Sequence, residues 1–228
     1  MKKLILIFLI SGSFIFLGCN QMENNSTETK ENQETITLPE PALQGSLTLE
    51  ETLQQRRSIR EYTEEAISIE DISQILWAAQ GTTNQEKRTA PSAGATYPIE
   101  IYIAVNKAEE LEPGIYYYNN YKHHLKKVSK GKPWEKLSNA ALNQEPIKNA
   151  TANIILTAEF ERTTERYWSR GYQYVYMEAG HISQNIYLQA ESLNIGTVAI
   201  GAFEEEDIKD ILWIDDYEPV YIMPIWYK

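Results

Sequence analysis

The chain has one cysteine, Cys19, in 228 residues, so it can close no internal disulfide and cannot supply a Cys-rich metal site. Histidine is nearly as scarce, three in all, and no spacing of His, Asp and Glu argues for a metal. Positive charge is in deficit. The 21 Lys and Arg stand against 32 Asp and Glu, and the resulting net charge of −11 repels phosphate polymers, which argues against a nucleic-acid partner. No Gly-x-Gly-x-x-Gly follows a strand-like run, which disfavours a dinucleotide fold. No internal repeat is evident, and the one long apolar run is too short and too abruptly ended for a comfortable membrane-spanning helix. What remains is a globular composition, 43% hydrophobic and 23% charged, at a length that favours one domain with appendages. Any phosphate bound by so acidic a chain must be met locally.

The apolar run belongs to the N-terminus. Lys2-Lys3, a greasy stretch to Leu17, and Gly18 before Cys19 make a basic head, a short apolar core and a small residue, the pattern of an exported lipoprotein signal. Phe16-Leu17-Gly18-Cys19 resembles a lipobox, with Phe16 at a position that is usually aliphatic. The resemblance implies cleavage after residue 18, lipid on Cys19, and an anchored protein of the cell envelope on the extracytoplasmic side. Residues 19–45 are rich in Asn, Glu, Thr and Gln with few apolar side chains, which predicts a disordered tether. The folded unit is then 46–228.

Within that unit Thr48-Leu49-Glu50-Glu51 fits a capping box opening a short helix to Arg56. Ile72, Ile75, Leu76 and Ala79 recur at helical spacing between Ser68 and Gly81. Residues 82–97 read as loop, and Ile99, Ile101, Ile103 and Val105 alternate as in a strand. Residues 116–118 and 125–128 suggest a hairpin about Asn119-Asn120; a weak helical region follows over 134–149, then a buried strand over 154–160. The longest helix signal places Tyr172, Val175, Tyr176, Ala179, Ile182, Ile186, Ala190 and Leu193 on one face, closed by Gly196. A strand over 197–203, a short helix over 206–213 and a strand over 220–226 complete an α+β pattern.

Three segments carry candidate chemistry. Arg56-Arg57-Ser58-Ile59-Arg60 is the densest positive patch, able to offer donors to a phosphate and to the carbonyl edge of a planar ring. Taken alone it fits a solvated basic run equally well. The small residues of Pro91-Ser92-Ala93-Gly94 let backbone amides approach a ligand, although most such stretches are ordinary loops. Ile200-Gly201 sits in a run of small residues against which a flat ring could lie. His181 lies between core-facing Ala179 and Ile182 beside Glu178, where a structural histidine or a polar interface contact fits; His123 and His124 look solvent-facing.

In this order the three segments resemble the FMN-dependent nitroreductase-like family over about Gln55 to the C-terminus. Residues 76–81, 88–94, 113–116, 170–172 and 178–185 further resemble its SagB-type dehydrogenase branch, whose best-known members oxidise thiazolines and oxazolines in peptides. The resemblance implies a nitroreductase-like α+β fold with a mixed central sheet flanked by helices, in an entwined homodimer holding two FMN molecules between subunits. It assigns Arg56, Arg57, Ser58 and Arg60 to the phosphate and ring edge, and Pro91, Ser92, Ala93 and Gly94 to a contribution from the other subunit. Ile200 and Gly201 fall beside the isoalloxazine and Lys228 in the phosphate site, although Trp226 stands where a Gly-basic pattern is usual. The branch's Lys-Tyr catalytic pair maps to Arg166 and Tyr167; Arg keeps its proton and cannot serve as a base, so azoline oxidation is in question. The expectation is a lipid-anchored FMN oxidoreductase acting on a small-molecule or peptide substrate, with a non-catalytic planar-ligand binder or an azoline oxidase of an exported peptide as alternatives.

Overall fold

The computed structural model describes residues 34–84 and 87–228. In chain order the elements are β1 (Thr35–Thr37), α1 (Leu49–Gln55), α2 (Ile69–Gln80), β2 (Ile99–Val105), β3 (Gly114–Asn119) and β4 (His124–Lys130). Then follow α3 (Trp134–Ala140), α4 (Glu145–Asn149), β5 (Ala152–Ala158), α5 (Glu161–Tyr167), α6 (Arg170–Ser192), β6 (Ile195–Thr197), α7 (Glu205–Leu212) and β7 (Glu218–Tyr227). The strands form one sheet in the order β1-β4-β3-β2-β5-β7-β6, antiparallel at every neighbouring pair; the isolated bridge Ile67–Ala108 is the one parallel pairing among the described residues.

The two-residue period of the central strands sorts the core into two layers. Ile99, Ile101, Ile103 and Val105 of β2 pack with Ile72, Ile75, Leu76 and Ala79 of α2 and with Val175, Ala179, Ile182, Ile186 and Ala190 of α6. On the other face Tyr102 and Ala104 meet Leu137, Ile147, Ile208 and Leu212 from α3, α4 and α7. A sheet covered on both faces explains why β2 and β5 bury every residue. The chain adopts the expected α+β architecture of a central sheet flanked by helices, although the sheet expected to be mixed is antiparallel at every pair of neighbouring strands.

Local signals at α1 and α2 hold in detail. Thr48 and Glu51 make both halves of the capping box, and Ser68 caps α2 through the Asp71 amide. Other boundaries differ. The predicted tether is corrected for 34–45: β1 pairs with β4, Leu38 is buried, and Gln74 bonds both backbone groups of Ala42. Residues 1–18, Cys19 and the rest of the tether up to 33 lie outside the described residues. The weak helix over 134–149 is two helices, broken where Leu142 and Asn143 take φ of 59° and 57°. Between the buried strand and the longest helix lies α5, and the strand expected over 197–203 is β6 at 195–197, with Ile200 bridging Ile222 beyond it. Asn194 rather than Gly196 turns the chain after α6, at φ 57°. Tyr172 and Tyr176, placed on the buried face by spacing, point outward, whereas His123 turns in to bond Ser73, Pro39 and Tyr118.

Trp226, the departure from the family pattern, is fully buried, and its indole N–H donates to the Glu61 carbonyl. A Cβ at Gly196 would lie 2.6 Å from that indole nitrogen, so the glycine is required by close approach. Trp226 thus ties β6 and β7 to the segment that follows Arg60. Trp226→Ala is expected to lower the unfolding free energy by about 3–5 kcal/mol in urea titrations, through a cavity that the rigid sheet cannot close.

Candidate functional site

Two clusters emerge, one at each end of α6. At its C-terminal end, Arg56 terminates α1 and lays its guanidinium 5.0 Å over the Tyr187 ring. Ser58 Oγ is 3.0 Å from the Tyr187 hydroxyl, which accepts the Ala199 N–H at 2.8 Å, and the Ile59 N–H donates to the Thr197 carbonyl. The Arg segment and the strand leading to Ile200-Gly201, 140 positions apart in the chain, are therefore stitched together through one tyrosine. Arg57 folds back to donate to the Gln54 and Arg56 carbonyls, and Arg60 is exposed. Ile200 is buried and Gly201 exposed beside the Tyr221 ring. Lys228 reaches the same end of α6, but its ammonium pairs with Glu191 at 2.7 Å rather than joining the arginines.

The second cluster surrounds residues 91–97. Ser92 Oγ accepts the Tyr97 N–H at 2.9 Å, and Gly94, Ala95 and Tyr97 all take positive φ. The Gly94 carbonyl accepts from Arg166 Nη1 at 3.0 Å, and a Cβ on Gly94 would fall 2.6 Å from the Tyr167 hydroxyl. Pro91–Gly94 and the Arg166-Tyr167 pair are thus one unit, and only glycine fits at its centre. Arg162 holds the loop's far end, donating to the Tyr97 carbonyl while pairing with Glu100 and Glu159.

Behind this loop lies a buried polar chain that motif reading missed. Glu178 of α6, 2% exposed, accepts from Gln80 Nε2 at 3.2 Å and from Ser92; Gln80 in turn accepts from Arg88, whose guanidinium lies 4.3 Å over the Tyr97 ring. Burial pushes the Glu178 carboxyl up to about 7, against the opposing pull of Ser92, Gln80 and Arg88. The available signal was a carboxylate among the buried helical positions Val175, Ala179 and Ile182. A buried acid held above the usual carboxylate range, beside a loop with non-glycine residues at positive φ, makes this cluster a candidate site.

The charge pattern separates these clusters from the rest of the surface. Of seven arginines, Arg162 is the one that pairs with a carboxylate among the described residues, although acids outnumber bases. Thr197 Oγ1 and Arg88 Nε, one in each cluster, are buried without a hydrogen-bond partner. Among the described residues no group of three or more His, Cys, Asp or Glu is arranged to hold a metal, and no helix is long and apolar enough to cross a membrane.

The nitroreductase family profile matches residues 53–226. The chain belongs to the nitroreductase family. A Methanocaldococcus jannaschii protein bearing a nitroreductase name is 43% identical over 181 residues, 79% of this chain and 91% of that one. The trifolitoxin-processing protein TfxB of Rhizobium leguminosarum is 28% identical over 136 residues, 58% of this chain but 36% of its own length. A nitroreductase-named crystal structure from Anabaena variabilis superposes with a TM-score of 0.76 at 29% identity, covering 86% of this chain and 42% of that chain. As a nitroreductase-family member the chain is an oxidoreductase by descent, and its relatives generally use flavin.

Glu178 gives this nitroreductase-family chain a testable pH signature. The unfolded chain releases that proton near the ordinary carboxylate value of 4.5, and the folded chain keeps it to about 7. Between those values the native state binds the extra proton, so stability falls as pH rises through the window, by on the order of 1–3 kcal/mol. Urea unfolding at pH 5 and pH 8 should show this loss in the wild type and little of it in Glu178→Gln; equal losses in both would refute the assignment.

Proposed function

We propose that the protein is an FMN-dependent oxidoreductase whose complete site is built from two copies of the chain, moving hydride or electrons between the flavin and an organic substrate. One observation carries the reading: α6 keeps the two clusters apart within a protomer. Ser92 touches Glu178 and Ser58 touches Tyr187. Those positions lie about 14 Å apart along the helix and about half a turn around it. One chain therefore presents two half-sites, and a second copy would complete each. Leu49 and Leu53 of α1 and Tyr176 and Met177 of α6 are exposed, and a Cβ at Gly180 would meet open space, an apolar face suited to a like partner.

The residues fit the cofactor. Arg56, Arg57 and Arg60, none of which meets a carboxylate among the described residues, offer with Ser58 donors for a phosphate and a ring edge, and Thr197 Oγ1 and Arg88 Nε are buried polar atoms without a hydrogen-bond partner. Bound FMN would supply the electron-transfer chemistry. Pro91–Gly94 of the second copy would bring small backbone close, Ile200-Gly201 would lie beside the ring, and Tyr167 would present a hydroxyl to substrate. A peptide azoline is the second reading, supported by the likeness to a trifolitoxin-processing protein, with Arg166 unable to take up a proton. The signal-like segment before Cys19 supports an exported, lipid-anchored protein, for which a membrane donor, oxygen or the substrate itself replaces a nicotinamide pool.

Purified protein should be yellow. Arg57→Ala should weaken FMN binding roughly ten- to hundredfold, the scale of one lost charge-assisted contact, while Tyr167→Phe retains the flavin. A colourless chain that takes up no FMN would sink the reading. Tritiated palmitate should label the wild type and not Cys19→Ser; label in both places the lipid elsewhere.

A further inference from the structure

Four residues at the α5–α6 junction form a continuous row of cation, ring, ring and cation. Arg166 lies 5.4 Å over Tyr167, Tyr167 meets Tyr174 edge to face at 5.1 Å, and Arg170 lies 5.7 Å over Tyr174. We propose that this row selects an anionic substrate, a planar molecule bearing a carboxylate, at the mouth of the site. Naming it a substrate mouth rests on the flavin reading above; the chemistry of the row stands on its own geometry.

Three independent features converge here. The first is charge. Several other cations meet carboxylates, Arg162 with Glu100 and Glu159, Lys209 with Glu206 and Glu218, and Lys127 with Glu34 and Glu112. Arg166 and Arg170 make no such pair among the described residues, in a chain of net charge −11. The second is preorganisation. Arg166 spends one N–H on the Gly94 carbonyl, which fixes the guanidinium while leaving the rest of its donor fork for a ligand. The third is strain. Trp168, between the two arginines, takes φ 50° and ψ −140°, a conformation that side-chain-bearing residues avoid, and the loop that Arg166 bonds also holds Gly94, Ala95 and Tyr97 at positive φ. The break at Trp168 ends α5 before α6 begins at Arg170, so the two arginines belong to different helices.

A carboxylate meets a guanidinium fork with two parallel hydrogen bonds, and a ring attached to it would be received by Tyr167 and Tyr174. An uncharged analogue of the same shape keeps the ring contact and loses the ionic one.

The test is calorimetric titration of the full-length chain, with and without added FMN, using 4-nitrobenzoate and its neutral partner 4-nitrobenzamide. The wild type should bind the carboxylate about tenfold or more tightly than the amide, with the gap shrinking as salt is raised. In Arg166→Ala/Arg170→Ala the preference should vanish while amide affinity is kept; Arg166→Lys should retain part of it. Equal affinities in the wild type, no binding of the carboxylate, or a preference that survives the double substitution would each overturn the proposal. Flavin uptake is read separately by visible absorbance. A chain that takes up no FMN therefore removes the cofactor reading, while the anion preference is decided by the titrations without flavin.

Discussion

The seating of α6 on the sheet is the constraint on which the functional geometry depends. Val175, Ala179, Ile182, Ile186 and Ala190 are all buried against β2, β5 and α2, and that stripe fixes the rotation of a 23-residue helix. Once the rotation is set, Glu178 must enter the interior beside Gln80, and Tyr187 must face Ser58 and Ala199. Burying a carboxyl is costly, and Gln80, Ser92 and Arg88 offset that cost together. The helix therefore acts as a rigid spacer between the two clusters, and the same contacts that stabilise it determine what each cluster can touch.

Electrostatics then separates bulk from local behaviour. A net charge of −11 discourages extended polyanions, yet the arginines flanking α6 meet no carboxylate among the described residues. Screening acts over about 8–10 Å at ordinary salt, so a small anion at either cluster senses the nearby guanidiniums more than the distant acids.

Much of this was legible wherever a local rule and the tertiary environment agree. The capping residues Thr48 and Ser68, the alternation in β2 and the apolar stripe of α6 each state their structure in a few positions, and packing upholds them. Elsewhere tertiary context prevailed. Ile36 and Leu38 sit in so polar a stretch that composition reads as tether, yet two apolar side chains and a free sheet edge suffice to dock it. The sequence 161–167 carries little apolar periodicity; α5 is held by Arg162 and by the Thr163–Thr96 hydroxyl contact, neither visible as a pattern. Spacing put Tyr172 and Tyr176 inward because period alone cannot tell a core face from an exposed apolar one. For the candidate site, motif order pointed to three segments, but not to Tyr187, which joins two of them, nor to Glu178, which underlies the third.

The departures from the family pattern are where structure adds most. Trp226 occupies a position associated with Gly before a basic residue, and it serves as a wedge, bonding Glu61 and pressing on Gly196. That wedge holds the segment after Arg60 from beneath, so the Arg segment gains in backbone support what it forgoes in a C-terminal basic partner. Lys228, engaged with Glu191 and bonded through its backbone to Asn194, closes the end of α6. Arg166 completes the set, since a side chain that cannot release its proton but is fixed on Gly94 is suited to holding charge rather than moving it.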